Sequence, residues 1–385
     1  MDTTKIIIPE PKWASNLANI ILDLEKLRVK ELYGEVPPHI FFQLKNIFQI
    51  LETLGSARIE GNNTTLAEYV EKVIENTANI NEKQREVENI ERAIDFIEEN
   101  TDCETMLDRA YFSQLHKLVS QGLTPPPKGE GSNKVGELRT GNVVIKNSPH
   151  NPPDYAVLPD YFEEFLNFVN TEHKEQNQLL MVAVAHHRFA YIHPFDNGNG
   201  RMGRLLNYAL LIKLGFQVKN GRIINPSSVF YSDRNKYYDM LAHADTLKDH
   251  SILDWAEYFL QGLKNEIVKI DSLLSKKYVR EKILLPSLDF SLDRKVITQQ
   301  EYEILKYLIN NKKMSMKSEE LGRLGISSSV QKSRVMAKLR DKKMVMPTKE
   351  NGRIYTIRFA NNYLLRGIIK TLEKEGFVAE FLNRN

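Results

Sequence analysis

The chain has 385 residues, a formal net charge of +3, 42% hydrophobic residues and 27% charged residues. This length exceeds one typical core and predicts two or three domains, and the composition is that of a soluble globular protein. A single cysteine, Cys103, excludes an intramolecular disulfide framework and fits a reducing compartment. Since no window offers about 18 uncharged apolar residues and no signal peptide is visible, we expect a cytoplasmic protein without membrane contact.

Helical periodicity dominates the first hundred residues. An apolar stripe at helical spacing runs along residues 39–54, formed by Ile40, Leu44, Ile47, Leu51 and Leu54. Gly61 and Asn62 provide a stop signal for this helix or its continuation. A second apolar stripe runs along residues 82–99. We therefore predict an N-terminal helical region over residues 1–100.

The middle of the chain predicts a helical core interrupted by one extended segment. Three consecutive prolines follow Thr124 and exclude a helix there. Val143, Val144 and Ile145 then have strand character and precede an Asn/Pro-rich turn, which predicts a small exposed β-hairpin. Helical patterns cover residues 105–121, 161–169, 176–191, 201–214, 233–244 and 252–274. Together they predict a mainly α domain over residues 101–285.

A change of pattern near Pro286 predicts a separate C-terminal domain. Beyond Thr298, three helical patterns precede two β-leaning runs around Asn351 and Gly352, which predicts a winged helix over residues 286–385. Between Lys312 and Arg358 there are 13 Lys/Arg and 4 Asp/Glu. The third helix carries Gln331, Lys332, Arg334, Lys338 and Arg340. Nucleic-acid binding is one interpretation, and protein contact or homodimer assembly is the other.

The segment from His193 to Arg204, HPFDNGNGRMGR, carries the clearest chemistry. Its glycines let backbone N–H groups approach a ligand, and the following helix adds partial positive charge at its N-terminus. Arg201 and Arg204 lie three residues apart at that end, which favours phosphate. His193 titrates near neutrality and can accept a proton. The combination predicts a hydroxyl group attacking a phosphorus centre.

This segment resembles the signature of the Fic (Fido) family, H-x-F-x-[D/E]-G-N-G-R-x-x-R. The matching positions are His193, Phe195, Gly198, Asn199, Gly200, Arg201 and Arg204. The resemblance covers roughly the first 280 residues. It implies a helical core with a β-hairpin flap, and transfer of AMP from ATP to Ser, Thr or Tyr hydroxyls of target proteins and of the chain itself.

The resemblance also implies a role for each matched residue. His193 would be the general base, and the Gly198–Gly200 backbone with Asn199 would hold the phosphates of ATP. Arg201 and Arg204 would pair with the β- and γ-phosphates, and Mg²⁺ would bridge the phosphates and neutralise charge. Asn197 stands where the family usually has an acidic metal ligand. Its amide oxygen brings no charge, which predicts weaker metal binding at this position.

A second motif, Ser56 to Asn62, resembles the inhibitory motif of the same family, [S/T]-x-x-x-E-[G/N]. Ser56 and Glu60 are four residues apart and share one helix face. The family implies that Glu60 reaches Arg204 and competes with the γ-phosphate for the guanidinium group. Because this motif precedes the signature, the resemblance places the chain in the subclass with an N-terminal inhibitory helix.

Two further segments resemble the family. Gly136, Leu138 and Arg139 match the G-x-L-R start of the flap, in which Val143, Val144 and Ile145 would align a target segment by main-chain pairing. Tyr238 and Leu241 would line the adenine pocket. The alternative for Tyr237 and Tyr238 is packing in a core.

Other chemistries remain open. De-AMPylation is one, because the inhibitory glutamate acts on water in some relatives. Phosphate transfer is typical of relatives with Lys at the position of Gly200, which is glycine here. A DNA-binding regulator with a non-catalytic Fic domain is the third, against which His193 and both arginines argue. A zinc site is disfavoured because His186 and His187 point about 100° apart on a helix.

Overall fold

A computed structural model describes residues 3–30, 35–75, 81–145, 148–216, 223–349 and 352–382. The described residues form two compact units, neither of which is a continuous stretch of chain. The first unit draws on residues 1–31, 52–64 and 80–268, and the second on residues 32–51, 65–79 and 269–385. The three-part division made from the sequence stays a prediction.

Helices supply most of the regular structure from residue 16 to residue 271. In chain order they are α1 Asn16–Val29, α2 Pro38–Ile59, α3 Leu66–Glu75, α4 Glu82–Asn100, α5 Arg109–Ser120, α6 Leu158–Asn170, α7 Glu175–Ile192, α8 Asn199–Lys213, α9 Ser228–Tyr231, α10 Arg234–Ala244 and α11 Asp249–Asp271. The prediction of a mainly α fold is confirmed. No described helix is both long enough and apolar enough to cross a membrane.

Side-chain caps set where these helices begin. Asn81 accepts a hydrogen bond from the backbone N–H of Gln84, whose side chain in turn accepts from the Asn81 N–H. This reciprocal pair starts α4. Asp108 accepts from the N–H of Tyr111 at 2.8 Å, so α5 begins at Arg109 rather than at residue 105 as the periodicity predicts.

Stacked aromatic rings form the centre of the first unit. Trp255 on α11 is fully buried and lies parallel to Phe259 and Phe230. Its indole N–H donates to the carbonyl of Ala183 on α7 at 2.7 Å, which satisfies the polar atom that burial would otherwise leave unpaired. His186 of α7 stacks on the same rings, so α7 and α11 share one core that supports the end of α7.

The second unit combines a helical run with a small sheet. After α11 and a short 3₁₀ turn the elements are α12 Lys276–Tyr278, a π-helical stretch Val279–Leu284, α13 Leu285–Asp293, α14 Gln299–Asn310, β1 Ser315–Lys317, a 3₁₀ segment Ser318–Leu324, α15 Ser329–Asp341, β2 Val345–Pro347, β3 Ile354–Ile357 and α16 Leu364–Lys374. Pro286 lies at the start of α13, where a missing N–H is tolerated. The helical run therefore continues through Pro286 instead of breaking there.

The three strands form one antiparallel sheet of order β1–β3–β2. Ser315 lies opposite Thr356, and Val345 lies opposite Ile357. Of the turn signal between β2 and β3, Asn351 lies outside the described residues. Helices α14 and α15, the intervening 3₁₀ segment and this sheet follow the order expected of a winged helix, an assignment that stays a prediction.

The predicted flap does not contain the strands expected for Val143, Val144 and Ile145. Residues 142–145 and 148–154 have no regular structure, and the sheet of the second unit contains every strand of the described residues. Side chains link the two sides of the segment instead of a main-chain ladder. Asn142 donates to Asp154 at 2.8 Å and accepts from the N–H of Tyr155 at 3.0 Å. These bonds occupy the place where strand pairing was predicted.

The buried tryptophan gives a stability prediction with an internal control. Replacing Trp255 with alanine removes a fully buried ring and leaves the Ala183 carbonyl without its donor. We expect a loss of about 3–5 kcal/mol in the free energy of unfolding. Trp13 is 86% exposed, so Trp13→Ala should change stability by less than about 0.5 kcal/mol. Urea unfolding measures both, and equal losses would contradict this account of the core.

Candidate functional site

The loop between α7 and α8 turns sharply at two residues with left-handed backbone conformation. His193 ends α7 with φ of 51°, and Gly198 precedes α8 with φ of 79°. Asn199 fixes the loop between them, because its amide oxygen accepts from the Phe195 N–H at 2.9 Å and its amide nitrogen donates to the Phe195 carbonyl at 2.8 Å. The Asn199 side chain is therefore engaged within the loop, which leaves its backbone N–H as the group available to an anion.

His116 of α5 packs against this loop and bonds to it, and nothing in the sequence indicated this role. Its ring stacks on buried Phe195 with centroids 4.0 Å apart. Nδ1 accepts from the N–H of Gly136, and Nε2 donates to the carbonyl of Asn197 at 3.1 Å. Burial lowers the pKa of His116 to about 4, so the ring stays neutral and can serve both partners. One imidazole thus joins the start of the flap to the glycine-rich loop.

The imidazole of His193 is half-buried at the end of α7. Burial lowers its pKa to about 4, although the nearby charge of Glu60 acts in the opposite sense. The ring is therefore neutral at pH 7, which is the form that can accept a proton. Its Nδ1 faces the carbonyl of Ala190 at 3.4 Å, a contact that favours hydrogen on Nδ1 and leaves Nε2 as the basic atom.

Arg139 fastens the flap to the His193 loop through main-chain atoms. Its guanidinium donates to the carbonyls of His193 at 2.9 Å, Gly141 at 3.0 Å and Pro153. Its own N–H donates to the carbonyl of Pro194 at 2.9 Å. The sequence placed Arg139 at the start of the flap but did not indicate this role. A single buried side chain therefore holds both ends of the flap beside His193.

Arg204 on α8 is buried against the end of α2, as the inhibitory motif predicts. Its Nε donates to the hydroxyl of Ser56 at 2.8 Å, and one terminal nitrogen donates to the Ser56 carbonyl at 3.0 Å and to Glu60 Oε1 at 2.7 Å. The other terminal nitrogen is buried and has no hydrogen-bond partner among the described residues. This nitrogen lies 3.3 Å from the position that a Cβ at Gly200 would take, at the N-terminus of α8.

Glu60 occupies the approach to the N-terminus of α8. A Cβ at Gly200 would lie 2.0 Å from Glu60 Oε1, so only glycine leaves room for the carboxylate there. Burial alone would raise the pKa of Glu60, but the charge and hydrogen bond of Arg204 outweigh burial and hold the pKa below its usual value. The carboxylate is therefore ionised at neutral pH and lies where an anion would meet the helix N-terminus.

Arg201 is held by partners that the sequence did not indicate. It is fully buried, with one terminal nitrogen 3.1 Å from Glu86 on α4 and the other donating to the carbonyl of Glu130 at 2.6 Å. Glu86 also accepts from the amide of Asn62 at 2.8 Å. Burial raises the pKa of Glu86 despite the opposing charge of Arg201. Each of the two signature arginines thus meets a carboxylate in this structure.

The two oxygen-bearing side chains of the loop are largely committed to other groups. Asp196 accepts from the hydroxyl of Ser132 at 2.5 Å and from the N–H of Asn133 at 2.9 Å. Asn197 donates its amide nitrogen to the carbonyl of Gly131 at 3.0 Å, which leaves one neutral oxygen. No group of three or more His, Cys, Asp or Glu in the described residues is arranged to hold a metal. The side-chain oxygens of Asp196 and Asn197 therefore do not form a site that would hold a cation by themselves. Metal binding by Asn197 stays a prediction.

The neighbouring tyrosines of α10 have different surroundings. Tyr237 is buried, and its hydroxyl lies 3.0 Å from Nε2 of His186. Tyr238 is 40% exposed, and its hydroxyl lies 3.5 Å from the carbonyl of Ile59 at the end of α2. Leu241, one turn further along α10, is half-buried. Tyr237 packs in the core, whereas Tyr238 has surface available beside the inhibitory motif and Leu241 is partly accessible on the same helix.

Glu52 extends the face of α2 that carries Ser56 and Glu60. Its buried carboxylate accepts from both the N–H and the hydroxyl of Ser227, just before α9. Burial raises the pKa of Glu52 to about 7, although the two hydrogen bonds from Ser227 and the charge of Arg204 act in the opposite sense. Helix α2, whose Ser56 binds Arg204, therefore also carries a carboxyl group that titrates near neutral pH.

These features define a helical domain with an anion site at a helix N-terminus, beside a neutral imidazole and opposite an internal carboxylate. Residues 106–211 match the model of the Fic/DOC family. This part of the chain is therefore a Fic domain, and the family resemblance seen in the sequence is confirmed.

Known relatives agree with this assignment. The chain is similar to the protein adenylyltransferase Fic of Drosophila virilis, with 30% identity over 196 residues, which cover 49% of this chain and 36% of that protein. The chain thus spans about a third of the length of this relative. Its fold is similar to that of a Fic family protein from Desulfovibrio desulfuricans, with a TM-score of 0.56, 20% identity and coverage of 91% and 98% of the two chains. Fic-1 from C. elegans matches with a TM-score of 0.51, 17% identity and coverage of 66% and 71%.

Glu52 gives a prediction about the pH dependence of stability. In the unfolded chain this carboxyl ionises near 4.5, and in the folded chain near 7. Its contribution to stability is therefore full below pH 4.5 and is lost as the pH rises through 7. Glu52→Gln cannot ionise, so we expect it to become more stable relative to the native chain across this window, by on the order of 1–3 kcal/mol at pH 8. Urea unfolding at several pH values measures the difference.

The control for this experiment is Glu104→Gln, which changes an exposed carboxyl in the same unit. Its unfolding free energy should follow that of the native chain at every pH. If the Glu52→Gln and native curves also run parallel from pH 4.5 to pH 8, the carboxyl of Glu52 does not titrate as described.

Proposed function

We propose that this chain is a protein adenylyltransferase that moves AMP from ATP onto Ser, Thr or Tyr hydroxyls of target proteins and of itself, and that Glu60 inhibits it. The observation that carries the proposal is the contact of Glu60 with Arg204 and Gly200, at the N-terminus of α8 and near neutral His193. The adenylyltransferase names of the Drosophila relatives support the activity.

The N-terminus of α8 supplies the donors for a triphosphate. The backbone N–H groups of Gly198–Gly200 lie at the very start of this helix, which no side chain caps. One guanidinium nitrogen of Arg204 lies beside Gly200, and Arg204 would pair with the γ-phosphate once Glu60 leaves. Arg201 would pair with the β-phosphate. Tyr238 would then contact the adenine, because it borders the end of α2, and Leu241 would line the same pocket from the next turn of α10.

His193 would supply the base for the transfer. Its Nε2 accepts the proton of the target hydroxyl, and the hydroxyl oxygen forms a bond to the α-phosphorus. The bond between the α-phosphorus and the bridging oxygen breaks, and pyrophosphate leaves with that oxygen. The products are an AMP ester of the target side chain, pyrophosphate and one proton. The flap held by Arg139 would position the target segment beside His193.

Glu60 would inhibit by charge competition. The carboxylate and a γ-phosphate are both anions, and both need the guanidinium of Arg204. Since Arg204 is buried, loss of the carboxylate without a replacement anion would leave its charge unpaired, so ATP must displace a partner that is already well placed. The nucleotide would then bind weakly or with its γ-phosphate displaced, which leaves the α-phosphorus out of line with the incoming hydroxyl.

Removal of the inhibitory side chain gives the most direct test. With α-labelled ATP, we expect Glu60→Gly to increase self-labelling at least tenfold over the native chain, because Arg204 becomes free to hold the γ-phosphate. Adding His193→Ala to that variant should remove the labelling, because no base remains. Autoradiography of the purified protein measures both effects.

Two controls make this result specific. Glu99→Gly introduces the same change near the end of α4, at an exposed position away from the site, and should leave labelling unaltered. Label supplied on the γ-phosphate should not appear on the protein. Unchanged labelling in Glu60→Gly would refute the inhibition, whereas γ-label on the protein would indicate phosphate transfer instead.

Measuring nucleotide binding distinguishes the role of Arg204 in holding the phosphates from the role of His193 as the base. By calorimetry, we expect affinity for ATP to rise from the native chain to Glu60→Gln and further to Glu60→Gly, by about tenfold overall. Adding Arg204→Ala to Glu60→Gly should abolish this gain in affinity. His193→Ala alone should bind ATP as the native chain does. A native affinity equal to that of Glu60→Gly would show that the carboxylate does not compete with ATP.

A further inference from the structure

Helix α15 of the second unit has an unusually bare outer face. Only Met336 and Leu339 of its 13 residues are buried. The opposite side is formed by Ser329, Val330, Ser333, Arg334 and Ala337, which line a shallow concave surface. These positions recur at helical spacing and therefore share one face. Val330 on this face is 65% exposed, which indicates that the described chain leaves an apolar side chain uncovered there.

The charges around this face are predominantly positive. In the sequence from Lys312 to Arg358 there are 13 Lys/Arg and 4 Asp/Glu. Glu301 neutralises part of this excess, since it pairs with Lys338 at 3.3 Å and with Lys342 at 2.7 Å. Within the described residues, neither Arg334 on the face nor Arg340 further along α15 has an ion-pair partner. Exposed Lys349 and Arg353 lie at the ends of β2 and β3.

The start of α15 is also open. Ser328 is exposed and precedes the helix without forming a side-chain cap, so its hydroxyl does not pair with the first backbone N–H groups. Gly325, in left-handed conformation with φ of 78°, ends the preceding 3₁₀ segment and turns the chain into α15. The result is a helix that presents its N-terminal end as well as one face, which is the part that contacts phosphates when a helix enters a groove.

We propose that this face of α15 binds double-stranded DNA in the major groove. The side chains of Ser329, Ser333 and Ala337 are small enough for the helix backbone to approach base edges. Arg334 lies among them and would donate to guanine, while exposed Val330 would contact a thymine methyl group. Arg340 and Arg353 would meet phosphates on either side of the groove.

The composition of the face favours DNA over the other macromolecules. Protein interfaces are typically centred on aromatic anchors, and the five residues of this face include none. The major groove of duplex RNA is too deep and narrow to admit a helix, whereas that of B-form DNA accepts one. Single strands are usually bound by stacking on aromatic rings, which this face also lacks.

The test uses the full chain and a fluorescein-labelled 24-base-pair duplex of random sequence, with binding followed by fluorescence anisotropy. We expect binding that weakens steeply as NaCl is raised from 50 to 200 mM, because phosphate contacts release counterions. Arg334→Glu should weaken binding at 50 mM NaCl at least tenfold. Ser333→Glu should do the same without removing a cation, since it places negative charge at the centre of the face.

The matched control is Lys248→Glu, which makes a like change in charge at an exposed position of the first unit. It should reduce affinity less than twofold. Circular dichroism of each variant verifies that the helices remain folded. The proposal is overturned if the native chain does not bind the duplex, if Lys248→Glu weakens binding as much as Arg334→Glu, or if duplex RNA or single-stranded DNA of the same length binds as tightly. None of these outcomes depends on the adenylyltransferase assay.

Discussion

The ion pair between Glu60 and Arg204 is the contact on which the site depends. It joins the end of α2 to the second turn of α8, and it brings a carboxylate to the place where the helix N-terminus would receive an anion. Ser56 adds two hydrogen bonds to the same guanidinium, so Arg204 is oriented even before a ligand arrives. Under the proposed function, the contacts that would block the site also hold the guanidinium of Arg204 in the position from which it would bind phosphate, so the blocked site would already be preorganised.

Much of this arrangement could be predicted from the sequence. The signature loop gives the residue types that an anion site needs, and the spacing of Ser56 and Glu60 gives their common helix face. Both are local patterns, and the structure places Glu60 against Arg204. The mainly α fold was predictable for the same reason, because apolar periodicity within each segment decides helix formation.

The remainder depends on contacts between distant segments, which no local pattern encodes. Glu86 and Glu130 meet Arg201 from separate parts of the chain, and His116 supports the loop from α5. The flap shows a different limit. Val143–Ile145 have β propensity, but propensity acts through pairing, and here Asn142 and Arg139 link the two sides of the segment through side chains instead. Asn199 is a further example, because both groups of its side-chain amide bond to the backbone of Phe195 within the loop.

Arg139 binds carbonyl groups, and every amino acid carries a carbonyl. The hydrogen bonds from Arg139 to the flap consequently do not depend on which side chains occupy most positions of the flap. Substitutions along the flap could accumulate without releasing it from the His193 loop. Under the proposed function, the segment that would recognise the target protein can therefore change in sequence while the geometry around His193 is retained, so recognition and chemistry can evolve separately.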